Sequence, residues 1–432
     1  MRVVLVSEAP FVPSSLGKVV TYISAGLAER GFEVSVLVHS AATISTPFSQ
    51  IVWFNPRDWA ERSGSRFSRF FPDVWIPCYP WGRWFDLSKA LERVGRFDAV
   101  LVYEYPQHAA DLNSAVYESL TSRGVPAVVY ALHEGPYIPP EAALSVLSYT
   151  RVVAPTRVGS ERFLRGVLRS VELLKGEAPS EVSERFSHVP HPVNASLYHP
   201  SNAPSGPPVH GCDLVVGMLA KNHVRKDYLT LVEVALRLAE QTGRDVCAGF
   251  YAVGAVSGGY WSVDSVVDVL AARYGLLRRD VSKRIVQLPR PWVEAGMTED
   301  QVIFAYTRLM DVHLFLTRGE AFGLPPLESA LLGVRTVTTA IPEQVEVLGG
   351  LVDSVRAHVY RTDHAFLYQP DPDDAFEKVL RCVEGVGRCA TAGLWEKLSA
   401  YDYREVSKGF EREFEEAVED PRPLSHVVRV QL

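Results

Sequence analysis

Residues 2–38 read RVVLVSEAPFVPSSLGKVVTYISAGLAERGFEVSVLV, and their order of apolar and polar positions decides the fold. Val3–Val6 is a short unbroken apolar run, the pattern of a strand covered on both faces. Pro10 and Pro13 then force a loop that ends at Gly17. Over residues 18–30, Val20, Ile23 and Leu27 recur at helical spacing, and Gly31 closes the helix. Phe32–Val38 is a second apolar run. A strand, a crossing helix and another buried strand in immediate succession form a βαβ unit, so the sheet they start is parallel.

The alternation continues outward from this unit. Ala99–Tyr103 and Ala127–Leu132 are further buried strands, each preceded by a helical segment. The stretch NAPSGPP, Asn202–Pro208, interrupts the pattern because neither helix nor strand persists through it. Beyond it come strands at Leu214–Leu219, Ala248–Val253, Ile285–Leu288, Val312–Leu316 and Arg335–Thr339, with a helix over 228–240. The expected class is α/β, with two Rossmann-like doubly wound domains over residues 1–200 and 201–395. In the tail, 396–432, Val406, Phe410, Phe414 and Val418 recur every four residues. That stripe needs a partner, and the helix carrying it is expected to cross back onto the first domain. Two such sheets facing across a cleft would bind ligands beyond the carboxyl ends of their strands.

Bulk properties narrow the function. At 432 residues the chain exceeds a single core, and 47% hydrophobic with 22% charged residues is an ordinary globular composition. A net charge of −7 argues against nucleic acid as a partner. The apolar run after Arg2 is too short for a secretory signal, and no segment reaches the ~18 apolar residues of a membrane span. A cytoplasmic protein is expected. Cys78, Cys212, Cys247, Cys382 and Cys389 show no CxxC pair and no metal-type spacing, and are expected to be buried free thiols, with a Cys382–Cys389 pair as the alternative that the sequence does not require.

Three stretches carry chemistry. PSSLGKVV at 13–20 joins a strand's carboxyl end to a helix start, where Gly17 would let backbone approach a phosphate. A tight turn without a ligand explains it equally, and G-x-G-x-x-G is absent. GMLAKNHVRKDYL at 217–229 gathers Lys221, Arg225 and Lys226 ahead of a helix capped by Asp227. The helix dipole disfavours cations there, so either they bind an anion such as a diphosphate or they are a solvated surface cluster. GEAFGLPPLESALLG at 319–333 places Glu320 on a loop and Glu328 in the first turn of a helix that Pro325 and Pro326 start and Gly333 ends. Backbone N–H groups of Phe322, Gly323 and Leu324 would line the mouth between them. Carboxylates accept hydrogen bonds from vicinal hydroxyls, which suits a polyhydroxylated ligand bearing a phosphate. The bland reading of Glu328, an acid at a helix start, leaves Glu320 without a role.

GEAFGLPPLESALLG resembles the E-x7-E motif of retaining glycosyltransferases of the GT-B fold, especially glycosyltransferase family 4. PSSLGKVVTYISAGLAERGFEVSVLV is similar to the family's opening strand, glycine loop, helix and second strand. YALHEG at 130–135 resembles its histidine-bearing strand end, HPVNASLYHP at 191–200 the entry to its linker, and AKNHVRKDYLTLVEVA its donor-phosphate segment. The resemblance implies a retaining transferase that takes a sugar from a UDP- or GDP-sugar without a metal or other cofactor. It gives Lys226, Lys221 and Arg225 the donor diphosphate, Glu328 the ribose hydroxyls and Glu320 the transferred sugar. The amides of Phe322–Leu324 would support sugar and phosphate, Gly17 would approach the diphosphate, and His133 would lie near the reacting sugar. The chain departs from the family where Leu16 precedes a single glycine and where Met218 replaces an arginine. The acceptor is unknown. Nucleotide-sugar epimerisation and non-catalytic carbohydrate or nucleotide binding are the alternative functions.

Residues 53–85 hold eleven aromatics, five of them tryptophans, interleaved with Arg57, Arg62, Arg66, Arg69 and Arg83. This region is either an acceptor surface or peripheral membrane contact, or a mostly buried insertion. The histidines show no ligand spacing, with His191 and His223 as candidate cleft members.

Overall fold

The computed structural model describes all residues except 40–49, 82–86, 107–109, 175, 207–208, 254–259, 363–365, 387, 390–392 and 429–432. The chain forms two compact units, Met1–Asn194 with Ala400–Leu432, and Ala195–Ser399. The fold is α/β of the GT-B type.

The first unit is built on an eight-stranded sheet. Its strands are β1 (Arg2–Ser7), β2 (Glu33–His39), β3 (Val52–Phe54), β4 (Ile76–Trp81), β5 (Ala99–Glu104), β6 (Ala127–Ala131), β7 (Arg151–Ala154) and β8 (Phe186–His188). They lie in the order β3-β4-β2-β1-β5-β6-β7-β8, and only β3 is antiparallel to its neighbour. Helix Ser15–Glu29 follows β1, capped by the Ser14 side chain, which accepts from the Gly17 amide. The apolar runs of β1, β5 and β6 are buried throughout, as strands covered on both faces must be.

The second unit has a six-stranded parallel sheet. It comprises β9 (Leu214–Lys221), β10 (Val246–Val253), β11 (Ile285–Gln287), β12 (Val312–Phe315), β13 (Arg335–Thr339) and β14 (Asp353–Val355), ordered β11-β10-β9-β12-β13-β14. A hairpin of β15 (Ala357–Arg361) and β16 (Phe366–Pro370) follows. The strand order reverses between β9 and β12, which makes the space beyond their carboxyl ends the natural ligand position.

The chain enters the second unit at Ala195, ahead of the proline-rich stretch. Side-chain anchors explain why: Trp395 Nε1 donates to the Ala195 carbonyl at 2.9 Å, Tyr198 bonds Glu299, and Arg308 reaches the Ser205 carbonyl at 2.6 Å. After Ser399 the chain returns, and helix Tyr403–Glu419 packs within the first unit. A Cβ on Gly26 would stand 2.7 Å from Ser407 Cβ and 2.8 Å from the Tyr403 carbonyl, so only glycine permits this helix–helix approach. Phe410 meets Tyr130 edge-on at 5.0 Å, and Phe414 meets Phe32 at 6.3 Å. Val418 is 43% exposed and Ala417 is buried in its stead, because a 3.6-residue turn drifts off a strict four-residue spacing.

Four of the five cysteines are not free thiols. Cys212 pairs with Cys247 and Cys382 with Cys389, leaving Cys78 free and buried, its thiol pushed up to about 12 by burial. Cys212 precedes β9 and Cys247 lies at the start of adjacent β10, so parallel pairing brings together residues 35 apart in sequence. Closing a loop of that size removes about 3–4 kcal/mol of unfolded-state entropy. Reduction should therefore lower the second unit's unfolding temperature by roughly 6–16 °C, read by calorimetry with and without a phosphine reductant. An unchanged transition would contradict it.

The aromatic stretch divides. Phe54 and Phe67 are buried, whereas Trp53, Trp59 and Trp75 are more than half exposed. Trp84 falls outside the described residues. His191 is a core residue: it lies 6% exposed between Tyr103 and Tyr130, its Nδ1 2.8 Å from the Tyr130 hydroxyl. Burial pushes it down to about 3, so it is neutral.

Candidate active site at the β9–β12 switch point

The loops leaving β9 and β12 are stitched together by their own backbone. Lys226 and Thr317 form an isolated antiparallel bridge. The Asp227 amide donates to the Leu316 carbonyl at 3.0 Å, and the Arg318 amide to the Arg225 carbonyl at 2.7 Å. Two segments almost a hundred residues apart thus act as one platform at the point where the strand order reverses.

Charge concentrates on that platform. Lys226 and Arg225 both pair with Glu320 at its Oε1. Thr317 Oγ1 donates to the same oxygen at 3.1 Å, and Lys226 Nζ lies 3.5 Å from Thr317 Oγ1. No described residue contacts Glu320 Oε2 in the hydrogen bonds and ion pairs of the site. Lys226 is 4% exposed and Glu320 9% exposed, so the pair is held out of bulk water. Beneath it, Lys226 Nζ sits 4.3 Å from the Phe315 ring centroid, a cation–π contact on the strand itself.

Asp227 caps helix Tyr228–Thr242 by accepting from the Thr230 amide at 3.3 Å. It is 1% exposed and also takes Gln369 Nε2 at 3.1 Å and Arg318 at 3.3 Å. The hairpin is thereby tied to the cationic loop.

Helix Leu324–Leu331 begins from Gly323, whose φ of +99° lies in the left-handed region. A side chain there would also collide with Gln344, whose Nε2 lies 3.0 Å from the Cβ position. Glu328 is the fifth residue of this helix, beyond its first turn, because the helix starts at Leu324 and not at the prolines. Pro325 and Pro326 have no N–H, so of the first three helical positions only Leu324 offers a donor. Glu328 is 4% exposed and accepts from the Tyr306 hydroxyl at 3.4 Å. Burial, then the Glu328 charge, raises the Tyr306 pKa well above the usual phenol value. His313 on β12 lies fully buried against this layer, with Nδ1 2.8 Å from Ser329 Oγ. Burial and the Lys226 charge push it down to about 3, which keeps it neutral.

Arg225, Lys226, Glu320, Phe322, Gly323, Leu324 and Glu328 therefore belong to one constellation, with Phe322 buried beneath the loop at 2% exposure. Lys221 is not drawn into it. As the last residue of β9 it is exposed and makes no ion pair among the described residues. Thr317, Arg318, Phe315 and Tyr306 complete the constellation and carried no motif of their own. The signal for Thr317 was its place directly after the apolar run that ends at Leu316.

Gly17 and His133 lie in the first unit. A Cβ on Gly17 would stand 2.5 Å from the Val12 carbonyl and 2.8 Å from the Ala9 carbonyl, so the loop's own folding demands glycine there. Ser14 Oγ also bonds the buried Glu8. His133 follows β6 at its carboxyl end, half-buried, its ring 6.2 Å from Phe163.

Among the described residues the one group with metal-ligand geometry is Cys212, Asp245 and Cys247, at the amino ends of the strands and occupied by the disulfide.

No protein-family model matches the chain, and no curated protein matches it in sequence. Solved structures do match its fold. A UDP-forming α,α-trehalose-phosphate synthase from Burkholderia xenovorans, in complex with glucose-6-phosphate, is 13% identical with a TM-score of 0.67, covering 96% of this chain and 100% of that one. The trehalose 6-phosphate synthase from Burkholderia multivorans is 12% identical with a TM-score of 0.66, covering 97% and 99%. An Anabaena protein in complex with UDP and glucose is 13% identical with a TM-score of 0.61, covering 96% and 100%.

Proposed function

We propose that the chain is a glycosyltransferase that moves a sugar from a nucleoside-diphosphate sugar to a hydroxyl acceptor. The observation that carries the reading is the Lys226–Glu320–Arg225 cluster at the β9–β12 switch point, with Glu328 one helical turn beyond the loop. Bond breaking leaves negative charge on the departing diphosphate, and fixed cations in a dry site stabilise that charge as it develops. Lys226 is the principal such group, because it is buried and held in place before any ligand arrives. Arg225 stands beside it with a planar fork suited to phosphate oxygens.

Glu320 has two tasks in this reading. Its Oε1 fixes the two cations, and its Oε2 accepts a hydroxyl of the transferred sugar. Glu328 takes the ribose hydroxyls, with Tyr306 orienting its carboxylate. The amides of Phe322, Gly323 and Leu324 serve the sugar and phosphate. Gly17 and His133 keep the roles that the family 4 resemblance implies, as do retention of configuration and independence of metal. Lys221 loses its share of the diphosphate to Lys226 and Arg225. UDP is the first base to test, since the fold neighbours include one named UDP-forming and one solved with UDP.

The test is a panel of UDP, GDP and ADP and their sugars. A cognate nucleotide at 100 times its Kd adds about 2.7 kcal/mol of stability, which a thermal shift resolves. The cognate nucleotide sugar should then release free sugar and nucleoside diphosphate slowly in the absence of acceptor, with turnover unaffected by EDTA. Interconversion of the nucleotide sugar would make the chain an epimerase, and inert binding would make it a carbohydrate- or nucleotide-binding protein. Glu320→Gln should lower turnover by about 10- to 100-fold, because one charge-assisted anchor for both cations is lost. Near-full turnover in that variant would remove Glu320 from the mechanism.

A further inference from the structure

Strand β12 reads VHLF, an apolar run with one histidine set into it. His313 is fully buried and stands directly across the β12–β13 pair from Thr336. Its Nδ1 lies 2.8 Å from Ser329 Oγ, which is 2.9 Å from Thr336 Oγ1 and 3.1 Å from the Pro326 carbonyl. Thr336 Oγ1 in turn donates to the Val334 carbonyl at 3.0 Å. Ser329 and Thr336 are buried with the histidine. One dry network thus joins two strands to helix Leu324–Leu331.

The number of protons in this network fixes the tautomer. Burial and the Lys226 charge keep the imidazole neutral, so it carries one N–H. Ser329 has a single proton, with the Thr336 hydroxyl and the Pro326 carbonyl both in reach of it. Were that proton given to Nδ1, the imidazole N–H would sit at Nε2, which has no hydrogen-bond partner among the described residues. A buried unpaired N–H is costlier than an unpaired lone pair. Nδ1 therefore carries the proton and donates to Ser329.

The ring stands between the two charged residues of the site. His313 and Phe315, two apart on a strand, share a face, and Lys226 Nζ sits 4.3 Å from the Phe315 ring centroid. On the other side the Tyr306 ring, whose hydroxyl donates to Glu328, lies 5.1 Å from the imidazole. Ser329 is the neighbour of Glu328 in the helix. A core that needed only bulk here would be served by leucine, whereas a buried polar ring satisfied at one nitrogen costs stability.

We propose that His313 is a positioning residue for nucleotide binding: its Nδ1–H fixes the Ser329 hydroxyl, and with it the helix that presents Glu328 to the ribose hydroxyls. It touches no ligand itself, and its role rests on the ribose grip proposed for Glu328. The ribose is remote from the bond that breaks, so the grip holds ground state and transition state alike. Its loss falls on KM more than on kcat.

The experiment compares two replacements. His313→Leu keeps the bulk and removes the donor, whereas His313→Asn keeps a donor near Nδ1 and loses bulk. Binding of UDP, GDP and ADP is titrated by calorimetry, with the melting temperature of each protein read alongside. His313→Leu should weaken the nucleotide that binds by about tenfold and raise KM for its sugar by the same factor, with kcat falling less than about threefold. His313→Asn should bind within about threefold of wild type, although the void it leaves lowers its melting temperature further. Ser329→Ala, the milder change, should match His313→Leu, and the two together should lose no more than either alone. The dideoxyribose form of the nucleotide offers Glu328 no hydroxyl, so wild type and His313→Leu should bind it alike. Binding that follows melting temperature across the variants would overturn the proposal and make the histidine a matter of packing. So would a leucine variant that binds like wild type, or one as impaired towards the dideoxy nucleotide as towards its parent. A wild type that binds none of the three nucleotides would overturn the ribose grip of Glu328, and this role with it.

Discussion

Lys226→Ala lowers kcat/KM for the cognate nucleotide sugar by about 10²–10³, the usual cost of removing one preorganised donor from a site where oxyanion charge develops. Several features place this residue at the head of the scale. The residue is 4% exposed, so water screens its charge little. It is fixed by Glu320, by Thr317 at 3.5 Å and by the Phe315 ring, so little entropy remains to be lost when a diphosphate binds. Arg225 also holds Glu320, so the variant keeps a partner for the carboxylate and should fold. The loss should fall mainly on kcat, because charge on the leaving group grows towards the transition state. Lys221→Ala is the control: that residue is exposed and outside the cluster, and its replacement should cost less than about threefold. Equal losses in the two variants would mean that the loop's general positive charge matters and its geometry does not.

Arg151→Ala destabilises the first unit by about 3–5 kcal/mol, the cost of stripping one partner from a buried ion pair. Arg151 is at the start of β7, and its guanidinium reaches Glu413 at 2.8 Å and Glu416 at 2.6 Å on helix Tyr403–Glu419. Glu413 is 2% exposed; its remaining cation, Arg412, is 4.0 Å away and largely in solvent. The carboxylate would therefore be stranded in the interior. Calorimetry should show the transition of this unit falling by roughly 6–20 °C. Replacing both partners by apolar residues, Arg151→Met with Glu413→Leu, should recover most of the loss, because no charge is then left buried. A single variant that melts within a few degrees of wild type would show that the pair is solvated.

The sequence made the central strands plain because continuous apolar runs leave little choice of structure. β1, β5, β6, β9, β10 and β12 were each visible as such a run, and β2, β11 and β13 as interrupted or shorter segments rich in β-branched residues. The edges were not. β3 and β8 are three residues long and β4 contains two prolines, so neither length nor periodicity marks them. The motif around Glu320 and Glu328 located the site, and Asp227 was legible as a cap. What sequence could not supply was pairing at a distance. The Cys212–Cys247 bond depends on the register of β9 against β10, and the convergence of Arg225 and Lys226 on Glu320 depends on β9 lying beside β12. Lys221 looked equivalent to its neighbours in the loop because spacing along the chain says nothing of which cation turns inward.

The return of residues 400–432 to the first unit has a consequence for the order in which the protein is made. A ribosome releases the chain from its amino end, so Ala195–Ser399 is complete and free to fold while the first unit still lacks a helix. The first sheet must wait, its surfaces beneath Phe410 and Phe414 uncovered, until the last segment emerges. The unit whose strands emerge first is completed after the unit that follows it.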